Sequence, residues 1–297
     1  MTQNSRQLDA DVWLASGDEL GEGAIAHPDR GSLIWFDILQ RRLHERAFSG
    51  GETRTHDLGI LASAAALVDE RRILIATEID LRLFDLDTGA AQTVHPFLAD
   101  NPALRANDGR VHPSGAFWIS CMGKGAEPRA GSIWWFRAGV LKELFPAITI
   151  PNAISFAPGG RAAYFADSDR GTIWRVAVDP ETGLPEGEPV VFKQFAPGEG
   201  APDGAVVDAE GRLWVAAWGA AAVLALNPDG SHFDSCRLPV SQPTCPAFFG
   251  ASLDELVVTS AREKMSAAAL AAEPLAGAVL KLRRTVRGVR EPTVRLA

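Results

Sequence analysis

Three stretches of the chain repeat one pattern: NDGRVHPSGAFWISCM (107–122), PNAISFAPGGRAAYFADS (151–168) and PDGAVVDAEGRLWVAAW (202–218). Each opens with polar residues, continues as a short apolar segment, turns at Pro or Asp followed by Gly, and ends in a segment rich in aromatic residues. Such short segments between turn residues are typical of β-strands. A third short strand follows each stretch, namely GSIWWF from Gly131, GTIWRV from Gly171 and AAVLAL from Ala221. Three successive strands joined by tight turns predict most of one propeller blade, whose fourth strand lies outermost.

The spacing of the repeat predicts the number of blades. The polar entries Asn107, Asn152 and Asp203 are 45 and 51 residues apart, which is the length of a four-stranded blade with its connection. Similar steps reach Ser63 and Glu22 towards the N-terminus and Cys245 towards the C-terminus. We therefore expect an all-β fold, a six-bladed β-propeller with four-stranded antiparallel blades around a central channel. A double-sheet sandwich is the alternative, but it would not need this repetition.

Length and composition limit the class of protein. The 297 residues are 46% hydrophobic, which is enough for a large core and excludes a disordered chain. The net charge of −8 makes a nucleic-acid partner improbable, and three cysteines without a CxxC pair indicate neither a disulfide framework nor a structural zinc module. We expect one domain over residues 1–297, with a short N-terminal tail of about ten residues.

Neither a signal peptide nor a membrane-spanning segment is recognisable in the sequence. We therefore expect a cytoplasmic protein without a membrane partner, present as a monomer or a weak homo-oligomer. Helical spacing is confined to one segment near residues 265–277, where Pro274 and Gly277 would end a helix early.

Three local motifs resemble nucleotide-binding or calcium-binding loops but are better explained as parts of strands and turns. LGEGA (20–24) fits a loose dinucleotide-binding pattern, but His27 and Pro28 interrupt the helix that should follow. DSDRG (167–171) and DLDTG (85–89) resemble the start of a calcium loop but lack its remaining ligands, so we interpret them as hairpin turns.

The propeller geometry turns the polar entries into a candidate site. The innermost strands run parallel around the channel, so their first residues meet at one mouth. Those residues include Glu22, Asn107, Asp108, Asn152 and Asp203. Carboxylates gathered there would repel one another unless a cation lay between them, and oxygen ligands favour hard divalent ions. Each residue taken singly would more often cap a turn, but their common phase favours a metal site.

Six motifs in order resemble the regucalcin, gluconolactonase and xylonolactonase family of six-bladed propellers. They are LGEGA at 20, RANDG at 105, PNAISFAPGG at 151, YFADS at 164, PDGAVVDAEGRLWVAAW at 202 and TSAR at 259. The similarity runs from about residue 11 to about residue 284. It implies a metal-dependent lactonase that opens a sugar lactone, an aldono- or uronolactone, to the corresponding sugar acid.

The resemblance also implies roles for individual residues. Carried over by motif, the metal ligands are Glu22, Asn152 and Asp203, and Arg105 and Asn107 contact the substrate. Family members tend to place a sugar-binding glutamate shortly after the position of Met122. Here the stretch is GKGAEPRAG, so Glu127 takes that role only if the loop shifts.

The expected reaction needs a polarised carbonyl, a nucleophilic water and an oriented ring. One divalent cation, Ca²⁺, Zn²⁺, Mn²⁺, Mg²⁺ or Fe²⁺, would polarise the carbonyl, with Asp203 as the catalytic base; alternatively the cation alone lowers the pKa of the water. Two other functions remain open: a non-catalytic calcium-binding propeller, and a propeller phosphotriesterase or aryl esterase with a more apolar pocket.

Overall fold

The computed structural model describes residues 8–297 and consists almost entirely of β-strands. In chain order the elements are β1 (Ala10–Leu14), β2 (Gly21–His27), β3 (Ser32–Asp37), β4 (Arg42–Ala47), β5 (Thr53–Asp57), β6 (Ala62–Leu67), β7 (Arg72–Thr77), β8 (Asp80–Asp85), β9 (Ala91–Pro96), β10 (Leu104–Val111), β11 (Phe117–Gly123), β12 (Gly131–Arg137), β13 (Val140–Ile148), β14 (Pro151–Phe156), β15 (Ala162–Asp167), β16 (Thr172–Val178), β17 (Pro185–Gln194), β18 (Ala201–Val207), β19 (Leu213–Trp218), β20 (Ala222–Leu226), β21 (His232–Arg237), β22 (Pro243–Phe249), β23 (Glu255–Ser260), α1 (Ala267–Ala272) and β24 (Val279–Leu282).

These strands form six four-stranded sheets, which confirms the predicted six-bladed propeller. Blades 1 to 5 each use four consecutive strands, β2–β5, β6–β9, β10–β13, β14–β17 and β18–β21, paired antiparallel in chain order. Blade 6 joins both ends of the chain, because β22, β23 and β24 are completed by β1 as the outermost strand. The tail expected for residues 1–10 lies mostly outside the described residues, and β1 begins at Ala10.

The six blades pack around a ring of innermost strands. β2, β6, β10, β14, β18 and β22 each contact the next one, and β22 contacts β2. Six clusters of buried apolar side chains fill the spaces between neighbouring blades. The sequence favours this packing because some strands are apolar enough to be buried on both faces. In β3 (SLIWFD), for example, every residue is buried.

The end of the channel that lies away from the polar entries is covered by the C-terminal segment. Val294 donates its backbone N–H to Leu67 O, and Arg295 donates to Gly115 O. Glu291 forms an ion pair with Arg110, which projects from the innermost strand β10 and is 7% exposed. The C-terminal residues therefore cross this end of the channel and contact blades 2 and 3.

The short helix α1 lies where the sequence predicted one, with Ser266 as its N-cap and its last residue before Pro274. The Ser266 side chain accepts a hydrogen bond from Ala269 N. No helix among residues 8–297 has the length and apolar composition needed to cross a membrane.

Candidate active site at the channel mouth

Carboxylates at the ends of second strands fix where the innermost strands begin. Asp37, the last residue of β3, accepts hydrogen bonds from Glu19 N at 2.9 Å and Leu20 N at 3.2 Å. Asp167, the last residue of β15, accepts from Thr149 N and Ile150 N, both at 3.1 Å. The DSDRG stretch is thus a hairpin turn, as expected. The carboxylates of Asp37 and Asp167 therefore hold the backbone just before Glu22 in blade 1 and just before Asn152 in blade 4.

Every innermost strand then loses its regular pairing at the same level. The irregularities lie between Glu22 and Ile25, Ala62 and Ala64, Ala106 and Gly109, Asn152 and Ser155, Pro202 and Ala205, and Pro243 and Pro246. A β-bulge redirects side chains out of the usual alternation. In four of the six blades, the residue at this level lines the mouth of the channel; these residues are Glu22, Asn107, Asn152 and Asp203.

The bulge in blade 1 depends on glycine. Gly23 has φ +60°, and a Cβ atom there would lie 2.2 Å from Ser63 O of blade 2. Only glycine permits this close approach of β2 to β6 beside Glu22.

The pairing register of β22 with β23 corrects the residue that was expected at the channel mouth from blade 6. Pro202 of β18 and Pro243 of β22 are each the last paired residue before the bulge, opposite Ala217 and Ser260. The residue of blade 6 that corresponds to Asp203 is therefore Thr244, and not Cys245 as the spacing predicted. Thr244 directs its hydroxyl to Gly21 O, so blade 6 supplies no ligand at this level.

A cavity of about 440 Å³ occupies the mouth and brings the predicted residues together. Glu22, Arg105, Asn107, Asn152 and Asp203 all line it, although they come from four different blades. Asn152 and Asp203 are each 6% exposed. Ser63 is not among the lining residues, and its buried hydroxyl forms no hydrogen bond with the described residues.

The carboxyl groups of Glu22 and Asp203 lie close enough to interact strongly. Burial raises the pKa of Glu22, and the neighbouring Asp108 carboxylate raises it further, while Arg105 opposes the shift. Burial also raises the pKa of Asp203 well above its ordinary value, followed by the charges of Glu22 and Asp108. Without a cation, the pair therefore retains a proton that two ordinary carboxylic acids would lose at neutral pH.

A hydrogen-bonded chain links three blades beside these carboxyl groups. Arg105 Nη1 donates to Asn107 Oδ1 at 2.6 Å, and Asn107 Nδ2 donates to Asn152 Oδ1 at 2.9 Å. Asn152 Nδ2 donates to Ser168 Oγ at 2.9 Å, and Ser168 Oγ donates to Pro202 O at 2.6 Å. This chain fixes the orientation of both carboxamides, with Asn152 Oδ1 retaining a second lone pair.

Two residues of the predicted site, Asp108 and Glu127, do not line the cavity. Asp108 accepts hydrogen bonds from Gly109 N at 2.8 Å and Ile154 N at 2.7 Å, so its carboxylate stabilises the bulges and does not line the cavity. Glu127 is exposed, accepts from Gly125 N at 3.2 Å and is also absent from the lining. Lys124 and Ala126 from the same loop line the cavity instead, so a substrate contact by Glu127 stays a prediction.

The donor set at the mouth fits a hard divalent cation. Glu22 and Asp203 supply carboxylate oxygens and Asn152 supplies a carboxamide oxygen, the ligand types that such ions prefer. No group of three His, Cys, Asp or Glu side chains suited to a metal occurs among residues 8–297, as expected if the third protein ligand is an asparagine. A cation between the two carboxylates would offset both the loss of hydration on burial and the repulsion, which together raise the two pKa values.

Sequence reasoning missed several lining residues. No motif distinguishes these residues: Met122 and Trp218 lie at the ends of second strands, Lys124 and Glu263 follow second strands, and Gln242 precedes an innermost strand. A positional signal exists for one of them, since Gln242 stands two residues before Thr244 just as Arg105 stands two residues before Asn107.

Comparison with known proteins places this site within a family. The family model described as the SMP-30/gluconolactonase/LRE-like region matches residues 20–262. A Rhizobium meliloti protein provisionally named a sugar lactone lactonase is 44% identical, with 95% of each chain covered. L-arabinolactonase of Azospirillum brasilense is 34% identical, with 88% of this chain and 87% of the relative covered.

A solved structure agrees with the same grouping. The crystal structure described as a calcium-binding protein, regucalcin, from Agrobacterium tumefaciens is 41% identical in sequence. It superposes with a TM-score of 0.95 over 97% of this chain and 98% of that one. The predicted resemblance is confirmed: the chain belongs to the SMP-30/gluconolactonase/LRE-like family.

Proposed function

We propose that this protein hydrolyses a sugar lactone to the corresponding sugar acid, with the help of one divalent cation held at the channel mouth. The observation that carries the proposal is the convergence of Glu22, Asn152 and Asp203 from three blades on one cavity that also contains Arg105 and Asn107. The names of the relatives support lactone hydrolysis. The description of the Agrobacterium tumefaciens structure as calcium-binding supports the cation.

Glu22, Asn152 and Asp203 would hold the cation by their oxygens. The chemistry that a bound cation would supply is polarisation of the lactone carbonyl and stabilisation of the negative charge on its oxygen. Asp203 accepts a proton from the attacking water as the water oxygen bonds to the carbonyl carbon. The ring C–O bond then breaks, and the proton passes from Asp203 to the departing ring oxygen, which becomes a hydroxyl group.

Arg105 and Asn107 orient the sugar ring. Arg105 is 9% exposed and uses Nη1 for hydrogen bonds to Ala106 O and Asn107 Oδ1. Its Nε and Nη2 form no hydrogen bond with the described residues, so these donors are available to substrate hydroxyl or carboxylate oxygens. Because Asn107 is bonded to both Arg105 and Asn152, the substrate-binding residues and the cation ligands are held in fixed relative positions.

The other two functions have less support. A purely structural ion would not need a cavity of about 440 Å³ beside it. An aryl esterase would not need the polar pair Arg105 and Asn107, which this cavity contains together with Lys124 and Glu263.

The test is a pH-indicator assay of the purified protein against aldono-, urono- and aldarolactones, with and without chelator. We expect acid release that depends on sugar stereochemistry, disappears with chelator and returns with an added divalent cation. Asp203→Ala should lose more than nine-tenths of the activity and remain folded. Asp229→Ala, in an exposed turn between β20 and β21, is the matched control and should retain activity. Activity that persists after complete removal of divalent cations would contradict the proposed role of the cation.

A further inference from the structure

A second ring of residues lies just outside the cation ligands. Its members stand two positions before Glu22, Ser63, Asn107, Asn152, Asp203 and Thr244 along the chain, and they are Leu20, Leu61, Arg105, Ile150, Ala201 and Gln242. All except Leu61 line the cavity. Only Arg105 and Gln242 have side chains that form hydrogen bonds, and they belong to blades 3 and 6, which lie opposite one another in a ring of six.

Gln242 is held in place but leaves one hydrogen-bonding atom unused. Ala261 N donates to Gln242 O, and Gln242 Nε2 donates to Glu263 O at 3.2 Å. The second contact determines which end of the amide is oxygen, because an oxygen could not face the Glu263 carbonyl. Gln242 Oε1 is buried and accepts no hydrogen bond from the described residues.

The surroundings of Gln242 Oε1 offer few other donors. In the cavity walls contributed by the neighbouring blades 5 and 1, Ala201 and Leu20 have no side-chain donor, and Trp218 has one, its indole N–H. Lys264, next to Glu263, has an 81% exposed side chain and pairs with the Glu263 carboxylate at 3.0 Å. A buried acceptor without a donor is costly, so a ligand that supplies the missing hydrogen bond gains affinity and selectivity.

We propose that Gln242 is a specificity-determining residue, whose Oε1 accepts a hydrogen bond from a hydroxyl group of the lactone on the edge opposite Arg105. This inference rests on the proposed lactone hydrolysis. The terminal amide torsion of glutamine is soft, so a rotation turns Oε1 towards the cavity and moves Nε2 by the same angle relative to Glu263 O. Arg105 donates to one edge of the sugar and Gln242 accepts from the other.

The substrate class that follows is a fully hydroxylated sugar lactone, as opposed to a deoxy analogue that lacks the hydroxyl facing blade 6. A site built around a buried acceptor discriminates strongly against a ligand that leaves the acceptor unpaired. We expect the wild-type protein to lose about tenfold to hundredfold in kcat/KM when that single hydroxyl is removed.

The experiment compares lactones that differ by one hydroxyl group, using wild-type protein and Gln242→Leu. Leucine approximates the shape of the glutamine but has no acceptor. We expect the large loss in kcat/KM for one particular deoxy lactone to shrink to about threefold or less in Gln242→Leu, since the interaction no longer exists to be lost. Gln92→Leu, on the exposed outer strand β9, should keep the wild-type discrimination.

The outcomes separate this inference from the function on which it rests. If Gln242→Leu keeps the wild-type discrimination at every hydroxyl, or if the wild-type protein hydrolyses all deoxy lactones equally well, Gln242 is not a specificity determinant and the proposed function stands. A wild-type protein inactive on every lactone would overturn both. A reduced kcat/KM that is equal for all lactones, with a lowered melting temperature, would assign Gln242 a structural role and overturn the inference.

Discussion

Replacement of Gly23 by alanine is the sharpest test of how the fold positions Glu22. A Cβ at residue 23 would lie 2.2 Å from Ser63 O and 3.0 Å from Phe36 Cδ2, and Cβ atoms essentially never approach another non-bonded heavy atom closer than 3.0 Å. Strands β2 and β6 must therefore separate by about 1 Å, and Glu22 moves with its strand. A displacement of about that size at a reacting centre costs roughly a hundredfold in rate.

Gly31→Ala separates this collision from the intrinsic cost of the backbone conformation. Gly31 has φ +64°, close to the +60° of Gly23, but a Cβ there would meet nothing within 4 Å. We expect Gly31→Ala to lose about 1–2 kcal/mol of stability, from the left-handed conformation alone, and to keep full activity.

The assay is kcat/KM for the best lactone, together with urea unfolding, for wild type and both variants. Gly23→Ala should remain folded, lose about a hundredfold in kcat/KM and lose more stability than Gly31→Ala. If Gly23→Ala matched Gly31→Ala in both activity and stability, the close approach of β2 to β6 would not position Glu22, and the reasoning would be refuted.

Two further predictions concern buried charge. Burial raises the pKa of Asp18 from 3.8 to about 7, so the folded state retains a proton that the unfolded state releases, and stability falls as the pH rises between these values. As the pH rises through this range, the free energy of unfolding of Asp18→Asn should increase relative to that of wild type, by at most about 4 kcal/mol, and the difference should stay constant above pH 7. A difference in urea midpoints that is the same at every pH from 4 to 8 would contradict this. Glu291→Gln removes the charged partner of the buried Arg110 guanidinium and should lower the free energy of unfolding by about 3 kcal/mol, measured by thermal unfolding. The control Glu255→Gln breaks an exposed ion pair with Lys281 and should lower it by less than about 1 kcal/mol. Equal losses in the two variants would show that the Arg110 pair is not desolvated.

The sequence predicts the architecture well because the repeat is local. Each hairpin carries its own turn residues and its own aromatic second strand, so blades 3, 4 and 5 are recognisable without knowledge of the rest. Once the phase is known, geometry alone brings Glu22, Asn152 and Asp203 to one mouth, and all three line the same cavity.

Other features depend on contacts that no local pattern reveals. The pairing of β1 with β24 joins segments from the two ends of the chain, and neither segment indicates its partner. The step to Cys245 was wrong by one residue because connections between blades differ in length, and only the register with β23 identifies Thr244. Likewise, the sequence places Glu127 near the site, but the side chain is drawn to a backbone N–H of its own loop.

The composition of blade 6 has a consequence for biosynthesis. Because its outermost strand is β1 and its third strand is β24, the circle of blades has a seam that stays open until β24 has been synthesised. Blades 1 to 5 are assembled from neighbouring strands and need not wait. Gln242 lies in the blade that is completed last, so the wall opposite Arg105 is complete only when the newly made β24 pairs with β1.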